Sequence, residues 1–166
     1  MTDRGGIGVT VISHDNEART LVNGYEPPGS YSRNVTYTGV SKVQMVSLIT
    51  ASSKCEQFIK YECYHSMLLH NPDGWWVSRD GQNMTYWGGA TPGSGKCACG
   101  MNNSCASRIR SDICNCDSND KTWREDSGLL TDKRTLPVLQ LRFGDTGSNF
   151  QVGYHTLGKF KCYGES

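Results

Sequence analysis

The segments Lys96-Cys97-Ala-Cys99-Gly-Met-Asn-Asn-Ser-Cys105 and Cys114-Asn-Cys116 decide which kind of fold this chain can form. Five of the eight cysteines lie in them, and Cys55, Cys63 and Cys162 complete an even number. Only 36% of the 166 residues are hydrophobic, and 19 are glycine, which is typical of a loop-rich fold. The sequence therefore predicts one cross-linked domain over residues 1–166, located outside the cell as a secreted protein or an ectodomain.

Charge and hydropathy exclude two classes of partner. The chain has 17 basic and 16 acidic residues, a net charge of +1, and the basic residues are scattered. Such a surface has no extended positive field, so we expect no nucleic-acid partner. No run of 18 apolar residues occurs, so we expect no direct membrane insertion by this segment.

Catalytic motifs are missing from the sequence. The four histidines, His14, His65, His70 and His155, belong to neither a Gly-x-Ser-x-Gly nor a His-Glu-x-x-His pattern. Oxidised cysteines cannot act as thiolate nucleophiles. We therefore predict that the chain is not an enzyme.

Two metal sites compete with purely covalent cross-linking. Zinc is the first, but the Cys-x-Cys pairs lack the Cys-x2-Cys spacing of structural zinc sites, so disulfides are favoured. Calcium is the second, with Asp117, Asn119 and Asp120 as candidate oxygen ligands. The EF-hand pattern fails, because Thr122 and Gly128 occupy its glycine and glutamate positions. A solvated acidic turn is favoured over calcium.

Three Asn-x-Ser/Thr sequons agree with an extracellular location. They begin at Asn34, Asn83 and Asn102. We therefore expect N-glycosylation within this set.

Hydrophobic patterning predicts a β-rich α+β fold with short helices and long loops. Strands are expected at 7–12, 55–64, 136–143 and 151–162. A hairpin is expected around 75–87, a helix over 41–51, a loop over 23–34 and a flexible linker over 88–95. Most aromatic side chains of the central region should face the core, although they could also stack on a sugar; these are Trp75, Trp76, Tyr86, Trp87 and Trp123.

Eight ordered segments carry a resemblance to a known family. They are Cys55-Glu-Gln-Phe-Ile-Lys-Tyr-Glu-Cys63, Asn71-Pro-Asp-Gly-Trp-Trp76, Tyr86-Trp-Gly-Gly89, Cys97-Ala-Cys-Gly100, Cys114-Asn-Cys-Asp117, Trp123 with Asp126-Ser-Gly-Leu129, Leu136-Pro-Val138 and Lys161-Cys-Tyr-Gly164. In this order they resemble the fibrinogen-like domain of contactin-associated proteins and other members of the neurexin superfamily. The C-terminal part also resembles fibrillar-collagen C-propeptides.

The resemblance implies a fibrinogen C-terminal-like fold, excised from a larger extracellular protein and lacking its extreme N-terminal part. It also implies the disulfides Cys63–Cys116 and Cys55–Cys162. For the four remaining cysteines we predict Cys99–Cys105 and Cys97–Cys114.

The resemblance further implies a non-enzymatic recognition or cell-adhesion module that binds a cell-surface or matrix protein. One alternative is a calcium-dependent lectin of the fibrinogen-related type, and another is an oligomerisation or spacer domain. If the chain is an adhesion module, we expect an exposed surface rich in aromatic residues or arginine. The sequence identifies no residue of a ligand-binding surface.

Overall fold

The computed structural model describes residues 2–4, 7–106 and 113–165, with the backbone alone for Thr2–Arg4, Ile7 and Glu165. Strands dominate the regular structure, which confirms a β-rich α+β class. The strands are β1 Thr2–Arg4, β2 Ile7–Ile12, β3 Thr20–Val22, β4 Tyr31–Asn34, β5 Ser52–Tyr64, β6 Trp75–Val77, β7 Asn83–Met84, β8 Trp123–Leu130, β9 Gln140–Phe143, β10 Val152–Leu157 and β11 Phe160–Glu165. The helices are α1 Lys42–Ala51, α2 Ala98–Met101 and a 3-10 helix Cys116–Ser118.

An antiparallel seven-stranded sheet is built around the long strand β5. Its order is β1-β2-β11-β5-β10-β3, and β8 also pairs with β5. Along β5, Cys55, Gln57, Ile59, Tyr61 and Cys63 are buried, while the residues between them are half-buried or exposed. Because side chains alternate between the two faces of a strand, one face of this sheet packs on the core and the other faces solvent.

A second antiparallel sheet, of order β4-β9-β6-β7, packs against the inner face of the first. Phe143 of β9 stacks on Tyr61 of β5 with ring centroids 4.4 Å apart, and on His155 of β10 at 5.7 Å. Trp87 meets the same ring edge-on at 6.1 Å. These aromatic contacts form the centre of the core between the two sheets.

The predicted helix over 41–51 is confirmed as α1. Ser41 caps it: the Ser41 hydroxyl accepts a hydrogen bond from the amide of Gln44, and the Gln44 side chain accepts one from the Ser41 amide. Met45 and Ile49 are the buried residues of α1. In the described part of the chain, no helix is both long and apolar enough to cross a membrane.

All eight cysteines form disulfides. Cys55 of β5 faces Cys162 of β11 directly across the sheet, and Cys63 bonds to Cys116. The other two bridges are Cys97–Cys114 and Cys99–Cys105. These are the four pairs expected above, and each stabilises a fold of this kind by about 2–4 kcal/mol, chiefly by restricting the unfolded chain.

Several predicted boundaries are wrong. The expected loop over 23–34 ends in strand β4, which pairs with β9. The expected strand over 136–143 is regular only in β9, because Pro137 has no N–H to donate to a ladder and the Val138 amide donates to the Gln57 side chain. The final strand over 151–162 is two strands, β10 and β11, which follow one another along β5 and are interrupted at Gly158 and Lys159, where the register shifts by one residue.

Candidate recognition surface

The outer face of the seven-stranded sheet carries large apolar side chains in solvent. Residues that lie directly opposite each other on neighbouring strands share a face of the sheet, so the strand register shows which side chains of β2, β11, β5, β10 and β8 point outward. No described helix or strand buries them, and we call this surface the open face. Its exposed apolar residues are Val11, Leu21, Phe58, Trp123 and Leu129.

One end of the open face is aromatic. Trp123 begins β8 and lies opposite Tyr64, the last residue of β5, with ring centroids 5.5 Å apart. Tyr154 of β10 lies 5.9 Å from the Trp123 ring. Trp123 is 50% exposed, whereas most tryptophan surface in folded proteins is buried. We call Trp123, Tyr64 and Tyr154, with Arg19 and Glu62, the aromatic patch.

Charged groups fix the geometry of the aromatic patch. The Arg19 guanidinium lies 3.6 Å from the Tyr154 ring centroid and donates to the Glu62 carboxylate at 2.7 Å. A shallow cavity of about 370 Å³ opens between these groups, and its other lining residues are Trp123, Arg124 and Glu125. Arginine beside tyrosine and tryptophan is the composition that dominates binding energy at protein interfaces.

The turn before Trp123 is held by an ion pair. The Arg124 guanidinium donates to both carboxylate oxygens of Asp120, at 2.9 and 2.7 Å. The Asp120 carbonyl accepts a hydrogen bond from the amide of His65, the residue that follows Tyr64. These contacts tie together the two strand ends that present the tryptophan and tyrosine rings.

Most of the aromatic residues named from the sequence belong to the core, as predicted. Trp76, Tyr86 and Trp87 are buried. The Trp76 indole N–H donates to the Tyr86 carbonyl, and the Trp87 indole N–H donates to the Asp126 carbonyl. Trp75 is half-buried. Of this set, Trp123 alone is exposed enough to stack on a ligand.

The three calcium candidates have different surroundings. The Asp117 carboxylate is buried and accepts a hydrogen bond from the Leu68 amide at 2.7 Å, and burial raises its pKa to about 6. Asp120 is paired with Arg124. The Asn119 side-chain oxygen is buried and has no hydrogen-bond partner among the described residues. The two carboxylates therefore face different partners, and calcium at these three residues stays a prediction.

One buried group of potential metal ligands occurs within residues 2–4, 7–106 and 113–165. The Cys97 and Cys114 sulfurs and a carboxylate oxygen of Asp126 lie within 4.8 Å of one another. The two sulfurs form a disulfide, so they offer no thiolate to zinc. The Asp126 carboxylate instead accepts hydrogen bonds from the Asn115 and Cys116 amides, and burial raises its pKa to about 7.

Two of the four histidines have structural surroundings. His155 is buried against Phe143 and shares a 2.7 Å hydrogen bond with the Tyr31 hydroxyl, and burial lowers its pKa to about 4. His14 is also buried, accepts a hydrogen bond from the Asn16 amide and contacts the Gly158 carbonyl. Both imidazoles therefore pack and bridge strands.

The three sequon asparagines lie outside the strands of the seven-stranded sheet. Asn34 is in β4, Asn83 is in β7 and Asn102 follows α2, and all three are exposed. An exposed asparagine is what the modification requires, and glycosylation at these positions stays a prediction.

Sequence reasoning missed most of the aromatic patch. Arg19, Glu62, Tyr64 and Tyr154 come from three separate parts of the chain and meet only through the pairing of β5 with β10. The available signal was the alternation in β5, which places Glu62 and Tyr64 on the face opposite to Cys63.

No model of a known protein family matches the chain. The chain is 38% identical to neurexin-4 of Drosophila melanogaster over 95% of its own length and 13% of that protein. It is 36% identical to contactin-associated protein 1 of Homo sapiens, and equally to that of Rattus norvegicus, over 94% of its own length and 11% of those proteins. The chain thus spans 11 to 13% of these relatives. Over nearly its whole length it is similar to one segment of neurexin-4 and contactin-associated protein 1, which supports the family resemblance found in the sequence.

Proposed function

We propose that this chain is a non-enzymatic, extracellular recognition module of a cell-surface adhesion protein of the neurexin and contactin-associated type. In this proposal residues 1–166 form one fibrinogen-like domain of a larger protein, and the aromatic patch binds another cell-surface protein. Contactin-associated protein 1 is named for its association with contactin. A cell-surface protein of that kind is the partner that we propose for this chain.

The single observation that carries the proposal is the exposed Trp123 ring within the aromatic patch. Its neighbours Tyr64, Tyr154 and Arg19 are held by ring contacts and an ion pair, so little side-chain entropy remains to be lost on binding. Four disulfides support an oxidising, extracellular setting. Similarity to neurexin-4 over 95% of the chain supports the adhesion role.

The experiment compares Trp123→Ala with a matched variant of the same strand. Leu129→Ala removes an apolar side chain of similar exposure, 43% against 50%, on the same face of β8 but at its other end. Binding of each variant to the contactin ectodomain is measured by biolayer interferometry. We expect Trp123→Ala to weaken binding about 30-fold or more, as for an interface hot spot, and Leu129→Ala to leave it nearly unchanged. Equal effects of both variants, or no binding by the wild-type chain, would refute the proposal.

A carbohydrate ligand is the second candidate, favoured by the 370 Å³ cavity in which Trp123 is surrounded by arginine and glutamate side chains. An aromatic ring flanked by charged hydrogen-bonding groups suits a sugar. A glycan array separates the two candidates. Sugar binding that Trp123→Ala abolishes, without binding to the contactin ectodomain, selects the lectin. A third hypothesis is a spacer or oligomerisation domain. Light scattering tests it by measuring the molecular mass, and so the number of copies that associate in solution.

A further inference from the structure

A second concave site shares no lining residue with the aromatic patch. It is a cleft of about 260 Å³ between the start of α1 and the segment that leads into β9. Apolar side chains supply its floor, including Val35, Val40, Met45, Pro137 and Leu139. A space of this size accepts one or two aliphatic side chains of a ligand.

The charged groups that line the cleft are both cationic. They are Lys42, the first residue of α1, and Arg79, and none of the lining residues is acidic. Lys42 is exposed and makes no ion pair with any residue that the structure describes. Lys42 therefore gives the cleft a positive charge that no acidic side chain of the described residues pairs with.

Arg79 is held in place beside the cleft. Its guanidinium donates to the carbonyls of Lys133 and Arg134, at 3.0 and 3.1 Å, and to that of Leu136. These acceptors are neutral carbonyls that orient the guanidinium. The Asp132 carboxylate, which pairs with Arg134, also interacts with the Arg79 charge, so Lys42 is the cation of the cleft without an acidic neighbour among the lining residues. An apolar floor flanked by a fixed arginine and a free lysine is complementary to an apolar group that has a carboxylate next to it.

We propose that this cleft binds a peptide segment of a partner protein in which aliphatic residues are flanked by acidic ones. The aliphatic side chains fill the apolar floor, and the carboxylates face Lys42 and Arg79. The open side of the cleft leaves room for the backbone of an extended segment. This site is separate from the aromatic patch and does not depend on Trp123.

The test uses two blocked peptides of equal apolar content, acetyl-Asp-Leu-Leu-Asp-amide and acetyl-Lys-Leu-Leu-Lys-amide. Each is titrated into the ¹⁵N-labelled chain, and amide shifts of Val40 and Ser41 are followed by NMR. Thr36 lines the cleft and belongs to the Asn34 sequon, so all samples carry Asn34→Gln to remove any glycan there. Lys42→Glu reverses the free charge, and a glutamate in the first turn suits the helix dipole, so α1 should stay intact. Lys161→Glu, on the open face, makes the same change in net charge elsewhere.

We expect the acidic peptide to bind about tenfold more tightly than the basic one. The carboxylates of the acidic peptide attract Lys42 and Arg79, whereas the ammonium groups of the basic peptide repel them. Lys42→Gln should weaken this preference, Lys42→Glu should abolish it because the new carboxylate then offsets Arg79, and Lys161→Glu should preserve it. Equal affinity for both peptides, shifts confined to other parts of the chain, or a preference unchanged by Lys42→Glu would overturn the proposal. Trp123→Ala has no effect on this titration if the two sites are independent.

Discussion

Gly128→Ala should destabilise the domain, because β8 and the chain after Trp87 touch backbone to backbone at this residue. A Cβ atom on Gly128 would lie 2.5 Å from the carbonyl carbon and oxygen of Gly88, and a Cβ on Gly88 would lie 2.2 Å from the Gly128 oxygen. Ordinary contacts begin near 3.4 Å, so the two segments must separate by close to 1 Å. Two 2.9 Å hydrogen bonds cross the same contact, from the Gly89 amide to the Leu129 carbonyl and from the Trp87 indole to the Asp126 carbonyl.

The cost combines overpacking with strained hydrogen bonds. Overpacking costs about 1–3 kcal/mol, and a weakened hydrogen bond costs about 1 kcal/mol, so we expect a loss of about 2–4 kcal/mol. For a chain of this size that lowers Tm by about 4–16 °C. Circular dichroism melts under oxidising conditions measure the shift, and the neighbouring Ser127→Ala serves as the control. A Gly128→Ala protein that melts within about 2 °C of the wild type would refute the close contact.

Two further predictions concern the buried carboxylates and calcium. Burial raises the pKa of Asp126 to about 7 and that of Asp117 to about 6, above the value of 3.8 for a solvated aspartate. As pH rises, the unfolded chain therefore loses these protons at a lower pH than the folded protein does. The free energy of unfolding should fall between about pH 4 and about pH 7, by roughly 4 kcal/mol for Asp126. Urea unfolding at a series of pH values should show this fall, and Asp126→Asn should reduce it. Calorimetric titration with calcium should give no saturable heat, because the Asp120 carboxylate is already paired with the Arg124 guanidinium. A calcium-dependent rise in Tm that Asp120→Asn abolishes would instead establish the predicted calcium site.

The composition of residues 88–95 predicts a flexible linker, but the structure shows that this segment begins in a packed position. Four glycines, a proline and two small polar residues in this stretch are typical of a mobile loop. Gly88 is instead buried, because only a residue without a side chain lets this segment pack against Gly128. These two glycines belong to Tyr86-Trp-Gly-Gly89 and Asp126-Ser-Gly-Leu129, two of the segments that carry the family resemblance. Their partnership is a long-range contact that no local pattern reveals.

Alternation along β5 was the most informative local signal. Buried and outward residues alternate from Cys55 to Tyr64, which confirms the strand predicted over 55–64. The aromatic patch could not be predicted from the sequence, because it depends on which strands pair with β5 and in which register they pair. Tyr154 and Trp123 are separated by 31 residues and both neighbour the end of β5 only after the sheet has formed. Trp123 itself was named from the sequence, with a core position favoured, and it is exposed.

The even spacing between Cys55 and Cys63 links the stability of the domain to its recognition surface. The two cysteines are eight positions apart, so both side chains point to the inner face of β5, where they bond to Cys162 and Cys116. The outward positions of the same strand, from Glu56 to Tyr64, carry no cross-link and no sequon. Substitutions at outward positions should therefore alter binding with little effect on folding. A one-residue insertion between the cysteines should do the reverse, because it would turn one of them to solvent and break its bridge.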